Sequence, residues 1–346
     1  MPVVELRSDT FTLPTAEMRA AMSHAPVGDD VYGEDPTVRL LEEKAAGAMG
    51  KQAACLMPSG TMANLAALTA HAPRGSRVFV GRDSDVYVYE AHGVSVCSGV
   101  AMDPIDTDAR GRLNIAQLER ALPEDPDDPQ FSLPSALCLE NTANLAGGVP
   151  LAPADMADAV AFAVRNRLAV HLDGARIFNA SVALGLPAAE VAREADSVQF
   201  CLSKGLSAPI GSIVTGSAEF VTRVRRVRKM LGGGMRQAGV IAAAGIVALD
   251  TMVDRLAEDH ARARRLADGL AGIAGLSVAP QQVRTNIVMF RVANGRPSHG
   301  ELIGAAGRDG VRLAELGRGQ LRAVTHRGVD DRGIEHALRV IAAAMR

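Results

Sequence analysis

The stretch SVQFCLSKGLSAPIGSIVTG, residues 197–216, contains two apolar runs, 197–203 and 212–216, separated by a turn that begins at Lys204. Short runs that are apolar throughout, rather than alternating, are the mark of strands buried on both faces of a sheet. The same texture recurs in ACLM (54–57), RVFVG (77–81), ALCLE (136–140) and LAVHLD (168–173), with helix-length segments such as 61–72 and 152–166 between several of them. Apolar strands alternating with amphipathic helices specify an α/β domain built on a mostly parallel sheet. A glycine-rich break at 231–239 precedes a helical stretch over 240–272, then NIVMFRV (286–292), a helix near 299–309, LRAVTH (321–326) and a terminal helix over 332–345. That order reads as a smaller α+β domain. A chain of 346 residues exceeds the length over which one core keeps growing. The expected division is a large domain over 1–247, carrying an N-terminal arm, and a small C-terminal domain over 248–346, with 122–134 as a surface loop.

Lysine is scarce in this chain: Lys44, Lys51, Lys204 and Lys229 are four among 37 basic residues. Guanidinium stays protonated, whereas a desolvated ammonium can lose its proton and attack a carbonyl carbon, so a lysine kept at the end of a buried strand is a candidate nucleophile. Asp173 ends LAVHLD in the same way, at the strand end where open α/β sheets bind ligands. An aspartate there can cap a helix, or it can keep a pyridinium nitrogen protonated. Arg176, three residues on, can grip a carboxylate with two parallel bonds. Ser59, Gly60 and Thr61 lie between a strand and a helix, where free backbone N–H groups cradle phosphate. An amine for an aldehyde, a carboxylate for a ring nitrogen and a cradle for a phosphate together specify pyridoxal 5'-phosphate.

The remaining composition excludes other classes. A net charge of -2, no tryptophan and three tyrosines offer nucleic acid or an acidic membrane surface neither charge nor stacking platforms. The opening MPVVELRSDTFTLP lacks the basic-then-apolar pattern of a signal peptide, and no run is long enough to span a bilayer, so a cytoplasmic location is expected. Cys55, Cys97, Cys138 and Cys201 are widely spaced beside apolar runs and read as reduced core thiols, with no metal site.

Seven stretches carry a resemblance: 6–18, VGDDVYGEDPTV (27–38), PSGTMAN (58–64), HLDGARIFNA (171–180), CLSKGLSAPIGS (201–212), RKMLGGGMRQAG (228–239) and LRAVTH (321–326). In this order the chain resembles the threonine aldolases, pyridoxal-phosphate enzymes of fold type I, the aspartate aminotransferase fold. The resemblance implies a large domain with a mostly parallel, seven-stranded sheet. It implies that Lys204 carries the cofactor's aldehyde carbon and that Asp173 pairs with the pyridine nitrogen. Gly60 and Thr61, with Ser59 and Ser203 nearby, would hold the phosphate, and Lys229 and Arg236 would reach the cofactor region from the neighbouring subunit. Ser8, Arg176 and Arg322 would bind the substrate carboxylate, and Tyr32 would line the pocket. The implied reaction is retro-aldol cleavage of L-threonine or L-allo-threonine to glycine and acetaldehyde, in a homodimer or homotetramer with active sites at the interface.

Two positions depart from the family. Asp85 stands where a histidine usually stacks on the cofactor ring, and Ala143 where a second histidine usually approaches the substrate hydroxyl. Retro-aldol cleavage needs that hydroxyl proton removed. Water, His92 or Asp85 could take it; of these, Asp85 is the candidate placed among the catalytic and cofactor-binding residues. The alternative is retained cofactor machinery with a different bond made or broken at Cα or Cβ, as in aldol transfer, racemisation, β-elimination or ring closure. A non-enzymatic relative would have no use for the carboxylate clamp. His171 and His326 are expected behind the site, and the other histidines read as ordinary surface or helix residues. The basic run 222–229 reads as a solvated helix face ending in Lys229, not a nucleic-acid patch.

Overall fold

A computed structural model describes residues 3–317 and 319–346. Seven strands, β1 (Ala53–Met57), β2 (Arg77–Gly81), β3 (Ala101–Ile105), β4 (Pro134–Glu140), β5 (Ala169–Asp173), β6 (Ser197–Cys201) and β7 (Ser212–Gly216), form one sheet in the order β1-β7-β6-β5-β4-β2-β3. All run parallel except β7, which is antiparallel to both β1 and β6. Every residue of β6 and β7 is buried, which is why both read as unbroken apolar runs. The strand not apparent in the sequence is β3. It lies at the sheet edge, is partly exposed, and carries Pro104, which an edge tolerates because no ladder bond is lost on its open side.

The register places the chemistry. Glu140 pairs with Asp173 across β4 and β5, and Asp173 pairs with Gln199 across β5 and β6. Three polar side chains therefore stand abreast near the C-terminal ends of adjacent parallel strands, and Lys204 follows β6 by three residues.

The second sheet is antiparallel: β8 (Leu276–Val278), β9 (Ile287–Val292), β10 (Ala314–Gly317) and β11 (Gln320–Val324), in the order β10-β11-β9-β8. The N-terminal arm joins this region, because Val4–Glu5 pairs with Val311–Arg312 and both Val4 and Leu6 are buried in its core. The helix expected over 240–272 is instead two, Gly239–Thr251 and Leu256–Ala271. The first serves one core and the second, which begins in that core at Leu256, runs on into the other. Ala242, Ala244, Ala248 and Leu256 pack with the seven-stranded sheet, whereas Ala263, Leu266 and Leu270 pack with the smaller one. Among the described residues no helix is long and apolar enough to cross a membrane. Cys55, Cys138 and Cys201 are buried, but Cys97 is exposed, so it is not the core thiol expected.

Candidate active site

At the C-terminal ends of β5 and β6 a cleft of about 340 Å³ brings together Ser59, Gly60, Thr61, Asp85, Asp173, Ser203 and Lys204. The sequence placed these residues on separate strand and helix ends, and the sheet order makes them neighbours. Ser59 caps the helix Gly60–His71, its Oγ accepting from the Met62 backbone N–H at 3.2 Å. Gly60 is needed for packing: a Cβ there would lie 2.9 Å from Cys201 Sγ, so only glycine lets the helix N-terminus sit this close to β6.

Asp173 is buried and accepts from three directions: Gln199 Nε2 at 2.5 Å, Asn64 Nδ2 at 2.9 Å and the Ala175 N–H at 3.0 Å. Asn64 projects from the first turns of the helix Gly60–His71, and the same amide nitrogen also donates to Glu90 Oε1 at 2.9 Å. One amide therefore bridges two carboxylates. Behind it, Asn64 Oδ1 meets His171 Nε2 at 3.1 Å, His171 Nδ1 meets Ser197 Oγ at 2.8 Å, and Ser197 Oγ meets His71 Nε2 at 2.8 Å. Burial holds both rings neutral, His171 at about 3 and His71 at about 4, so each carries one proton. Both Asn64 amide protons go to carboxylates, so Oδ1 accepts from His171 Nε2–H. His171 Nδ1 then accepts from the Ser197 hydroxyl, whose oxygen accepts from His71 Nε2–H. His71 thus belongs to the site's support and is not an ordinary helix residue; His171 stands behind the site as expected.

Burial, reinforced by Asp85, raises the Asp173 carboxyl, with Lys204 and the Gln199 bond opposing. Burial and the Asp173 charge push Glu90 up to about 9, and burial, then Asp85, holds Glu140 well above the ordinary carboxyl value. Glu140 accepts from the backbone N–H groups of Asp85 at 2.8 Å and Asn144 at 2.7 Å. Three carboxyl groups, Asp85, Glu90 and Asp173, thus line the cleft, with Glu140 bonded to the Asp85 backbone N–H, and Glu90 is held protonated at neutral pH. Such a site is short of positive charge on the ligand side, and a protonated ring nitrogen against Asp173 would supply it. Gln199 Oε1, buried without a partner, is a further open acceptor on the cleft wall. The donor set, the glycine-lined helix N-terminus and the open acceptor fit pyridoxal phosphate.

The two arginines expected at the substrate carboxylate differ. Arg176 Nε and Nη2 form a fork on Asp9 at 2.8 and 2.7 Å, with both residues buried. Burial alone would raise Asp9, but Arg176 holds its carboxyl far below the usual range. Among the described residues Arg322 has no carboxylate bonded to it. Its Nη1 donates to Asn144 Oδ1 at 3.0 Å, its Nη2 to the Arg7 carbonyl at 3.1 Å, and its Nε is buried and unpaired. Burial and the nearby Arg176 charge lower its pKa. Asn144 also donates to Asp85 Oδ1 at 2.9 Å, which links Arg322 to Asp85 through one side chain. Ser8 caps the short helix Asp9–Phe11, its Oγ accepting from the Thr10 N–H at 3.2 Å, beside the Arg7 carbonyl that Arg322 holds.

Six expected residues do not line this cleft: Ser8, Arg176 and Arg322, and also Tyr32, Lys229 and Arg236. Tyr32 is 76% exposed, Lys229 is exposed, and Arg236 is exposed and paired with Asp29 at 2.9 Å. His92 is also exposed, its ring edge-on to Tyr87. The basic run is not wholly solvated, because Arg228 is buried against Asp30 at 2.9 Å. Glu90, Gln199, Asn144 and Glu140 were not apparent from the sequence, and Asn64 carries no signal there beyond its place at the end of PSGTMAN.

A lysine and a buried aspartate thus line one cleft at the C-terminal strand ends, and the β-eliminating lyase family, to which the chain belongs, matches residues 5–294. Within that class the chain belongs to the threonine aldolase family. It is 43% identical over 338 residues to a probable low-specificity L-threonine aldolase 2 of Arabidopsis thaliana, covering 97% of this chain and 95% of that one. It is 46% identical over 290 residues to a low specificity L-threonine aldolase of Escherichia coli, covering 84% and 85%. The fold is shared with a Leishmania major threonine aldolase at a TM-score of 0.81, with 18% identity and 99% of each chain covered.

Proposed function

We propose that this chain is a pyridoxal-phosphate-dependent aldehyde-lyase that cleaves β-hydroxy-α-amino acids, with L-threonine and L-allo-threonine giving glycine and acetaldehyde. The observation that carries the reading is Lys204 and Asp173 lining one cleft, with the carboxylate-free guanidinium of Arg322 linked to Asp85 beside it. Lys204 would hold the cofactor through its aldehyde, Asp173 through the ring nitrogen, and the N–H groups at Gly60 and Thr61 through the phosphate, with Ser59 and Ser203 beside it. When bound, the cofactor supplies an electron sink for the charge left on Cα.

Arg322 receives the substrate carboxylate, which satisfies Nε and fixes the orientation of the Cα–Cβ bond. Ser8 stands at the same end, and Arg176 holds the arm that carries it. Asp85 Oδ1 is occupied by Asn144, while Oδ2 has no bonded partner among the described residues. Oδ2 takes the β-hydroxyl proton as the Cα–Cβ bond breaks, the work a histidine usually does in this family. Tyr32, Lys229 and Arg236 lie outside their own cleft, which supports a homodimer or homotetramer in which they complete a neighbour's site. We place the enzyme in the cytoplasm.

The test is glycine and acetaldehyde release from L-threonine and L-allo-threonine by the reconstituted protein. Equimolar products that vanish in Lys204→Ala are expected. Asp85 and Ala143 in place of two histidines favour one second reading, different chemistry at Cα or Cβ. Its signature is a visible spectral change on adding either amino acid with no aldehyde formed.

A further inference from the structure

Asn64 follows Gly60 by one turn on the helix Gly60–His71, so the two share one face. That face lies against β6, because a Cβ at Gly60 would come within 2.9 Å of Cys201 Sγ and 3.9 Å of Gln199 Oε1. The sheet order then sets Asn64 against Asp173 on β5, and both side chains line the Lys204 cleft together with Glu90 and Gln199.

The two oxygens of Asp173 are not equivalent. Oδ1 accepts from Gln199 Nε2 and from the Ala175 N–H, whereas Oδ2 accepts from Asn64 Nδ2 alone. A carboxylate oxygen offers two lone pairs, so Oδ1 is filled and Oδ2 keeps one open. A ring N–H arriving at Asp173 therefore meets the oxygen that Asn64 holds.

Asn64 can hold it only one way round. Its second amide proton goes to Glu90 Oε1 at 2.9 Å, and its Oδ1 faces His171 Nε2 at 3.1 Å. Turning the amide over would set its NH₂ against the His171 N–H and its oxygen against two carboxyl oxygens. His171 is fixed in turn by Ser197, and Ser197 by His71. Burial and the Asp173 and Asp85 charges, against the Asn64 bond and Lys204, push Glu90 up to about 9. Glu90 therefore accepts from the amide without offering the ring a rival anion.

We infer that Asn64 is a positioning residue for the ring-nitrogen carboxylate: it aims Asp173 Oδ2 at the cofactor, and Glu90 and His171 lock its amide in the orientation that does so. The inference rests on the pyridoxal-phosphate reading. Without the amide, Oδ2 has no partner to hold its direction, and the loss falls on a ligand with a proton to give that oxygen.

The experiment titrates the full-length protein, freed of cofactor, with pyridoxal phosphate and with its deaza analogue. In the analogue a C–H replaces the ring nitrogen, and the aldehyde and phosphate are unchanged. Wild type is expected to bind pyridoxal phosphate about tenfold or more tightly than the analogue, as a charge-assisted hydrogen bond gives. In Asn64→Leu, which keeps the branched shape, and in Glu90→Ala, that preference should fall to about threefold or less. Glu90→Gln, which can still accept from the amide, should retain it. A merely structural role would weaken both ligands alike and leave their ratio unchanged. An unchanged ratio in Asn64→Leu overturns the inference; should that variant fail to fold, an unchanged ratio in Glu90→Ala does so. Equal binding of the two ligands by wild type keeps the cofactor reading and overturns the inference alone. A wild type that binds neither sinks both.

Discussion

Arg176 is a buried guanidinium and Arg322 a half-buried one, near enough for the charge of one to act on the other, and the sequence gives no reason to tell them apart. The fold treats them oppositely. Arg176 is forked onto Asp9 and tied through Asn286 Nδ2, which donates to Asp9 Oδ2 at 3.2 Å, so it joins the N-terminal arm to both sheets. Arg322 has carbonyl and amide partners, an unpaired Nε and a lowered pKa. A buried cation already matched by a carboxylate is a strut, and one left without a carboxylate is a receptor for one. The difference predicts which substitution costs stability and which costs turnover.

The largest effect is expected at the strut. Asp9→Ala leaves a buried guanidinium unpaired and should cost about 3–5 kcal/mol of unfolding free energy in urea melts. The pair's contribution is present above the ordinary aspartate pKa and is lost as pH falls through the depressed folded value, so wild type and variant should converge only in strong acid. A loss under about 1 kcal/mol would erase the distinction between the two arginines. Next comes the receptor: Arg322→Ala should lower kcat/KM for L-threonine by about 10²-fold or more, with stability within about 1 kcal/mol of wild type, because it removes a group the apoprotein leaves under-bonded. A fall in stability with normal turnover would reverse the assignment.

A smaller effect separates the two carboxyls bridged by Asn64. The Glu90 carboxyl lies at about 9 in the folded chain, against about 4.3 when unfolded, so the stability it contributes is present at low pH and lost as pH rises through that window. Apoprotein melts of wild type and Glu90→Gln should therefore diverge between pH 5 and pH 9, with the variant losing less. Parallel curves would mean that Glu90 ionises normally. The smallest change is Ser59→Ala, which removes the cap on Met62 and should cost about 1 kcal/mol together with weaker cofactor retention.

Much of this was legible in the sequence, and the reason is local. β2 and β7 match RVFVG and SIVTG residue for residue, because a doubly buried strand needs apolar side chains on both faces. Lys204 and Asp173 were legible because each follows or ends such a strand and parallel strands bring their ends together. Long-range pairing was not legible. Asp9 is 167 positions from Arg176, and Arg322 is 178 from Asn144, so the roles of the two arginines depended on contacts that no local pattern encodes. Glu90, Glu140 and His71 were hidden for the same reason: what sets them apart is the distant partners that the fold brings to each. The outward placement of Tyr32, Lys229 and Arg236 concerns a surface that one chain does not complete.

The claim that ties these parts together is that Asp85, fixed by Asn144 beside Arg322, does the work usually given to a histidine. The decisive measurement is steady-state cleavage of L-threonine by Asp85→Asn, with cofactor content matched to wild type by visible absorbance. The account predicts kcat lower by about 10²-fold or more with KM nearly unchanged. A variant that turns over at the wild-type rate would contradict it and place the base elsewhere.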